Sequence, residues 1–209
     1  MITDITPLLG KVHNCDCLEF MKQLPDKCVD LVLTDPPYGL NKKIHDGGTW
    51  ATKEKFNACL EWDFKPPLKA FKEMFRISKN QIIWGGNYFT EFLPPSRGWI
   101  VWNKPYFPTM SDCELAWTSF DKNIKSITEN RNADGYKEHP TQKSLNVFTF
   151  ALRYAGEFET VFDPYMGSGT TAVACERLGR KWFGCELEPK YCEIANKRIE
   201  AEQAQGKLF

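Results

Sequence analysis

The chain has 209 residues, 42% hydrophobic and 26% charged, with 27 basic and 27 acidic side chains that give a formal net charge of zero. This is the composition of an ordinary globule large enough for one substantial core, not of a disordered chain, and the balanced charge argues against a strongly basic, non-specific nucleic-acid binder. No apolar run approaches the ~20 residues that span a bilayer, and Met1-Ile2-Thr3-Asp4 lacks the basic, apolar start of a signal peptide, so a cytoplasmic protein without a membrane partner is expected.

The first predicted element is a short helix from Cys17 to Leu24, stopped by Pro25. Val29 to Thr34 (VDLVLT) reads as a buried strand that ends in a proline-rich turn. Gly39 to Trp62 is polar and long for a connection, which marks a mobile functional loop. A helix follows over Leu68 to Ile77, then short strands at Gln81 to Trp84, Trp99 to Trp102 and Cys113 to Trp117. Ser119 to Glu138 is again polar and reads as an insert. A helix over Ser144 to Tyr154 begins at a residue suited to capping. Strand Thr160 to Phe162, helix Thr170 to Leu178, strand Trp182 to Cys185 and helix Pro189 to Gln203 complete the chain before a short polar tail. Alternation of this kind predicts an α/β fold, a doubly wound and mostly parallel sheet with helices on both faces. Several of the eight cysteines lie inside apolar patterns, and none forms a C-x-x-C pair. Cys15, Cys17 and His13 match no standard zinc spacing, so no metal is expected.

Two turns carry chemistry. Phe162-Asp163-Pro164-Tyr165-Met166-Gly167-Ser168-Gly169-Thr170 joins a strand to a helix through glycines that let a backbone approach a ligand closely. Glu186 closes the next strand, 19 residues after Gly167, where a carboxylate can accept from two ribose hydroxyls. Gly167, Gly169 and Ala172 also satisfy the dinucleotide fingerprint, which keeps a nicotinamide oxidoreductase among the readings. In Thr34-Asp35-Pro36-Pro37-Tyr38-Gly39, two prolines remove two donors and stiffen a turn whose carbonyls remain free to accept. An inert turn with Asp35 as a cap is the plain alternative.

Together these segments resemble the amino-methyltransferases of DNA, which methylate adenine N6 or cytosine N4. D-P-P-Y is that family's catalytic motif and F-D-P-x-x-G-S-G-T its cofactor motif, and their order here is similar to the circularly permuted beta group. The resemblance implies a seven-stranded Rossmann-like fold, S-adenosylmethionine as cofactor and duplex DNA with a flipped base as substrate. It implies catalytic roles for Asp35, Pro36, Pro37 and Tyr38, with Asp35 and the Pro36 carbonyl accepting from the amine and Tyr38 stacking on the base. It implies cofactor contacts for Asp16, Asp163, Gly167, Ser168, Gly169, Thr170 and Glu186, and for Thr141 and Lys143 in His139-Pro140-Thr141-Gln142-Lys143. Lys42, Lys43 and Lys53 in the long loop would touch DNA phosphates, while Trp50 and Phe56 would fill the gap in the duplex or pack in the core. Family habit with D-P-P-Y favours adenine N6, with cytosine N4 as the alternative and a non-catalytic nucleic-acid-binding subunit as a reading of another class. The family usually has a larger target-recognition region, so the short insert implies a short site or a second subunit. A homodimer is common in the family and a restriction enzyme can accompany it; the sequence identifies neither.

Overall fold

In a computed structural model, residues 1–40, 64–105, 111–130 and 143–206 are described. The apolar run Val29–Thr34 forms strand β2, whose residues are buried except at Asp30. A strand that is apolar at nearly every position must be covered on both faces, and so it lies inside the sheet. Strands β1 (Val12–Asn14), β2, β3 (Ser78–Trp84), β4 (Trp99–Asn103), β5 (Cys113–Thr118), β6 (Lys125–Thr128), β7 (Thr160–Asp163) and β8 (Lys181–Glu186) form one sheet in the order β1-β8-β7-β2-β3-β5-β4-β6. Pairing is parallel except where β5 runs against β3 and β4.

Helices cover both faces. On one side α3 (Leu145–Ala155), α4 (Thr170–Arg177) and α5 (Pro189–Gly206) pack over Leu31, Leu33, Trp84, Trp102 and Val161. On the other, α1 (Cys17–Met21) and α2 (Leu68–Ile77) cover Val32, Ile83, Phe162 and Phe183. In α2 the buried residues are Ala70, Phe71, Met74 and Ile77, a helical spacing that turns one stripe to the sheet. Large side chains such as Trp84, Phe71 and Phe162 are fully buried, each contributing roughly 1.5–3 kcal/mol of transfer free energy. Arg76, near the end of α2, donates to the carbonyls of Met21 and Leu24 and pairs with Asp26, locking the connection into β2.

Three expectations change in detail. The described sheet has eight strands rather than seven. Residues 125–128 of the expected insert are strand β6, paired in parallel with β4. Ser144 stands at the N-cap of α3, but its hydroxyl makes no capping bond and is buried without a hydrogen-bond partner among the described residues.

Candidate active site

Strands β1, β8, β7 and β2 are adjacent and parallel, so their carboxyl ends share one edge of the sheet. Asp16, Glu186, the Gly167 turn and Asp35 follow those four ends in that order across the sheet. Ligands of doubly wound folds bind at such an edge.

At the end of β2 the Asp35 carboxylate is largely buried. Tyr38 donates its hydroxyl to Oδ1 at 2.6 Å, and the Lys143 ammonium lies 2.7 Å from Oδ2. Burial pushes the Asp35 carboxyl above its usual range, against the pull of Lys143. Lys143 also lies 2.9 Å from Glu114 Oε2, and Lys104 lies 2.8 Å from Glu114 Oε1. Burial would raise the Glu114 carboxyl, but the two lysines hold it at about 2. The paired carboxylates overcome the burial of Lys143 and raise its ammonium above the usual lysine range. Tyr38 is held by its neighbours: its ring stacks on Tyr88 with centroids 4.7 Å apart. Gly85, at φ +68°, brings its backbone so close that a Cβ would stand 2.2 Å from Tyr38 Cε1.

The glycine turn is built from below. Asp163, 2% exposed, accepts from the hydroxyls of Thr34 and Thr171 and from the Tyr165 amide. Burial lifts its carboxyl to about 6 against those three donors. Asp163 therefore ties β2, β7 and α4 together beneath the turn. Above it, Gly167 has φ +54° and donates to Glu186 Oε2 at 2.8 Å, and a Cβ there would meet nothing within 4 Å. Gly169 has φ +82°, and a Cβ would stand 3.0 Å from that of Ala195, so glycine also permits close packing against α5. Glu186 Oε1 accepts from the Glu188 amide, and burial raises the Glu186 carboxyl. The Leu187 amide reaches the same carboxylate, which with about four acceptor positions in all still has room for a hydroxyl donor.

A family model described as DNA methylase, of the N6/N4 type, matches residues 90–197, more than half of the chain. The chain belongs to this DNA methylase family. It is 28% identical to the type II methyltransferase M.BamHI of Bacillus amyloliquefaciens over 96% of its own length, and it spans 59% of that protein. Among solved structures, M1.HpyAVI in complex with S-adenosylmethionine covers 90% of this chain and is itself covered to 98%, at 23% identity and a TM-score of 0.60. The cytosine-N4-specific PvuII DNA methyltransferase covers 94%, is covered to 95%, and aligns at 15% identity with a TM-score of 0.60. The fold is thus that of the S-adenosylmethionine-dependent DNA methyltransferases.

Within this DNA methylase chain the expected site residues divide into groups. Asp35, Tyr38 and Lys143 come together at the end of β2, and Gly167 and Glu186 meet at the neighbouring turn. Pro36 is buried and Pro37 half-buried in the stiff turn between Asp35 and Tyr38. Ser168 and Thr170 are buried, with their hydroxyls within reach of Arg198 on α5. Asp16 caps α1 by accepting from the Glu19 amide. Lys143, expected at the cofactor, contacts two carboxylates and the Tyr38 hydroxyl at 3.2 Å. Thr141, Lys42, Lys43, Lys53, Trp50 and Phe56 lie outside the described residues. Sequence reasoning missed Lys104, Glu114 and Tyr88. The only hint was a charged residue inside the apolar run Cys113-Glu114-Leu115-Ala116-Trp117.

Proposed function

We propose that this chain transfers a methyl group from S-adenosylmethionine to the exocyclic N6 of adenine in DNA. The observation that carries the reading is the adjacency of β2 and β7, which sets the Asp35 turn beside the glycine turn on one edge of the sheet. Glu186, with a half-buried carboxylate that has room for a hydroxyl donor, and Gly167, with open space above it, fit a ribose-bearing cofactor. Asp16, at the neighbouring strand end, would contact its adenine. When bound, S-adenosylmethionine supplies an electrophilic methyl group on a sulfonium.

The residues of the chain do the rest. An exocyclic amine is a weak nucleophile because its lone pair is delocalised into the ring. Asp35 and the Pro36 carbonyl each accept one N–H, which turns that lone pair towards the incoming methyl group. The acceleration comes from orientation and fixed electrostatics. Two prolines keep the acceptors from relaxing. A base in a duplex must leave the stack to reach them, at a cost of a few kcal/mol. Tyr38 and its stacked partner Tyr88, itself 36% exposed, offer aromatic surface to the extruded base. Lys42, Lys43 and Lys53 would hold phosphates while this happens.

Adenine is favoured by the D-P-P-Y form of the turn. Cytosine N4 is the second reading, because both amines need the same two acceptors and the PvuII enzyme of similar fold is cytosine-N4-specific. Asp35→Ala tests the assignment. It removes an acceptor yet leaves Lys143 paired with Glu114. Transfer should fall by at least about 100-fold, while S-adenosylmethionine binding measured by calorimetry stays near that of the wild type. A wild-type rate in the purified variant would overturn the catalytic role.

A further inference from the structure

The charged cluster behind Asp35 is larger than an acceptor site needs. Lys104, Glu114, Lys143 and Asp35 alternate in sign, each within 2.9 Å of the next. Their side chains are 3%, 21%, 8% and 19% exposed. Burying an ion pair is costly, and one pair with Asp35 would already be neutral. The second pair, Glu114 with Lys104, therefore calls for a reason.

Its geometry supplies one. Lys143 stands between two carboxylates, 2.7 Å from Asp35 and 2.9 Å from Glu114. Glu114 Oε2 meets the same ammonium that Asp35 Oδ2 holds, so the two carboxylates compete for one positive charge. With Asp35 alone as partner, Lys143 would place its whole charge on the carboxylate that must hold the base amine. A carboxylate so neutralised accepts a proton poorly. The other groups facing Asp35 cannot do what Glu114 does. Tyr38 donates to it, Tyr88 stacks behind Tyr38, and Asp163 on β7 is engaged by Thr34 and Thr171.

We infer that Glu114, anchored by Lys104, is a positioning residue that shares the Lys143 ammonium with Asp35 and so keeps Asp35 able to take the proton shed by the base amine. This rests on the function proposed above. In that step the N–H bond breaks after methylation, its electron pair stays on nitrogen, and the proton forms an O–H bond on Asp35 before passing to water. The charge of Glu114 acts in the same sense as burial, raising the Asp35 carboxyl.

The test is a pH titration of the intact protein labelled with carboxyl-carbon-13 aspartate, the Asp35 resonance being assigned with Asp35→Asn. In Glu114→Gln the Asp35 midpoint should fall by about one pH unit or more, because one negative charge is gone and Lys143 turns wholly to Asp35. In Lys104→Met it should rise, because Glu114 is then freer to draw Lys143 away. Opposite shifts from two neighbouring substitutions are not what loosened packing produces, and the second variant serves if the first does not fold. An unchanged or higher midpoint in Glu114→Gln, or a lower one in Lys104→Met, overturns the inference. Methyl transfer by the wild-type chain is scored in parallel. Shifts without transfer would overturn the proposed function and, with it, the proton-accepting role, while leaving the shared ammonium standing; transfer without shifts would overturn the inference alone.

Discussion

Thr34 and Asp35 are neighbours with different duties. The Thr34 hydroxyl donates to Asp163, 129 residues further along the chain, while the Asp35 carboxylate faces Tyr38 and Lys143. One therefore fastens the two turns together and the other is available for chemistry. The folded Asp163 carboxyl lies at about 6, above the ~3.9 of an unfolded aspartate, so the folded state holds the extra proton between those values. Stability from this group is full below about pH 4 and is lost as pH rises through about 6, by roughly 3 kcal/mol in total. Urea unfolding of wild type and Asp163→Asn across that window should show the variant gaining on the wild type by that amount; a pH-independent difference would contradict it. The D-P-P-Y turn was legible in the sequence because its chemistry is local. Lys104 and Glu114 were not, since the ion pair that buries them forms across the β4–β5 hairpin, and composition cannot tell a buried charge from a solvated one. Lys143 was singled out only by the family resemblance, as a cofactor contact, and nothing local shows that its side chain, 8% exposed, lies between two carboxylates.

At the scale of elements, apolar period and turn chemistry gave the helices well. Leu68–Ile77 lies where its spacing places it, and Gly179 follows α4 with φ +62°. The missed strands are short and lie at the edges. β1 has three residues, and β6 (KSIT) is mostly exposed, so neither needs the apolar run that reveals a central strand. The Gly85 turn supports Tyr38 from outside the recognised motifs. Gly85→Ala should cost about 1–3 kcal/mol of stability in a left-handed conformation and should push the Tyr38 ring off Asp35, lowering the turnover of the folded fraction. Chemical denaturation and kinetics read both, and an unperturbed variant would show that the close approach does not matter. At the end of β8, Glu186→Ala should weaken S-adenosylmethionine binding by about 10-fold or more. An unchanged calorimetric Kd would remove Glu186 from the cofactor site.

For the whole molecule, the doubly wound α/β arrangement followed from strand–helix alternation, but the adjacency of β2 and β7 is a matter of strand order, which periodicity does not carry. Charge is the other global property. With a formal net charge of zero, the DNA binding proposed above would run through local clusters rather than through an overall field. If Lys42, Lys43 and Lys53 each hold a phosphate, replacing all three with alanine should reduce the slope of log K against log salt by about 2.7. Fluorescence anisotropy between about 50 and 200 mM salt measures that slope, and an unchanged value would place the contacts elsewhere. Methyl transfer to a base amine is decided by incubating the wild-type chain with labelled S-adenosylmethionine and unmodified duplex DNA and analysing the nucleosides by mass spectrometry. Labelled N6-methyladenine is the expected product. N4-methylcytosine would correct the base alone, and DNA with no methylated base would overturn the proposed function.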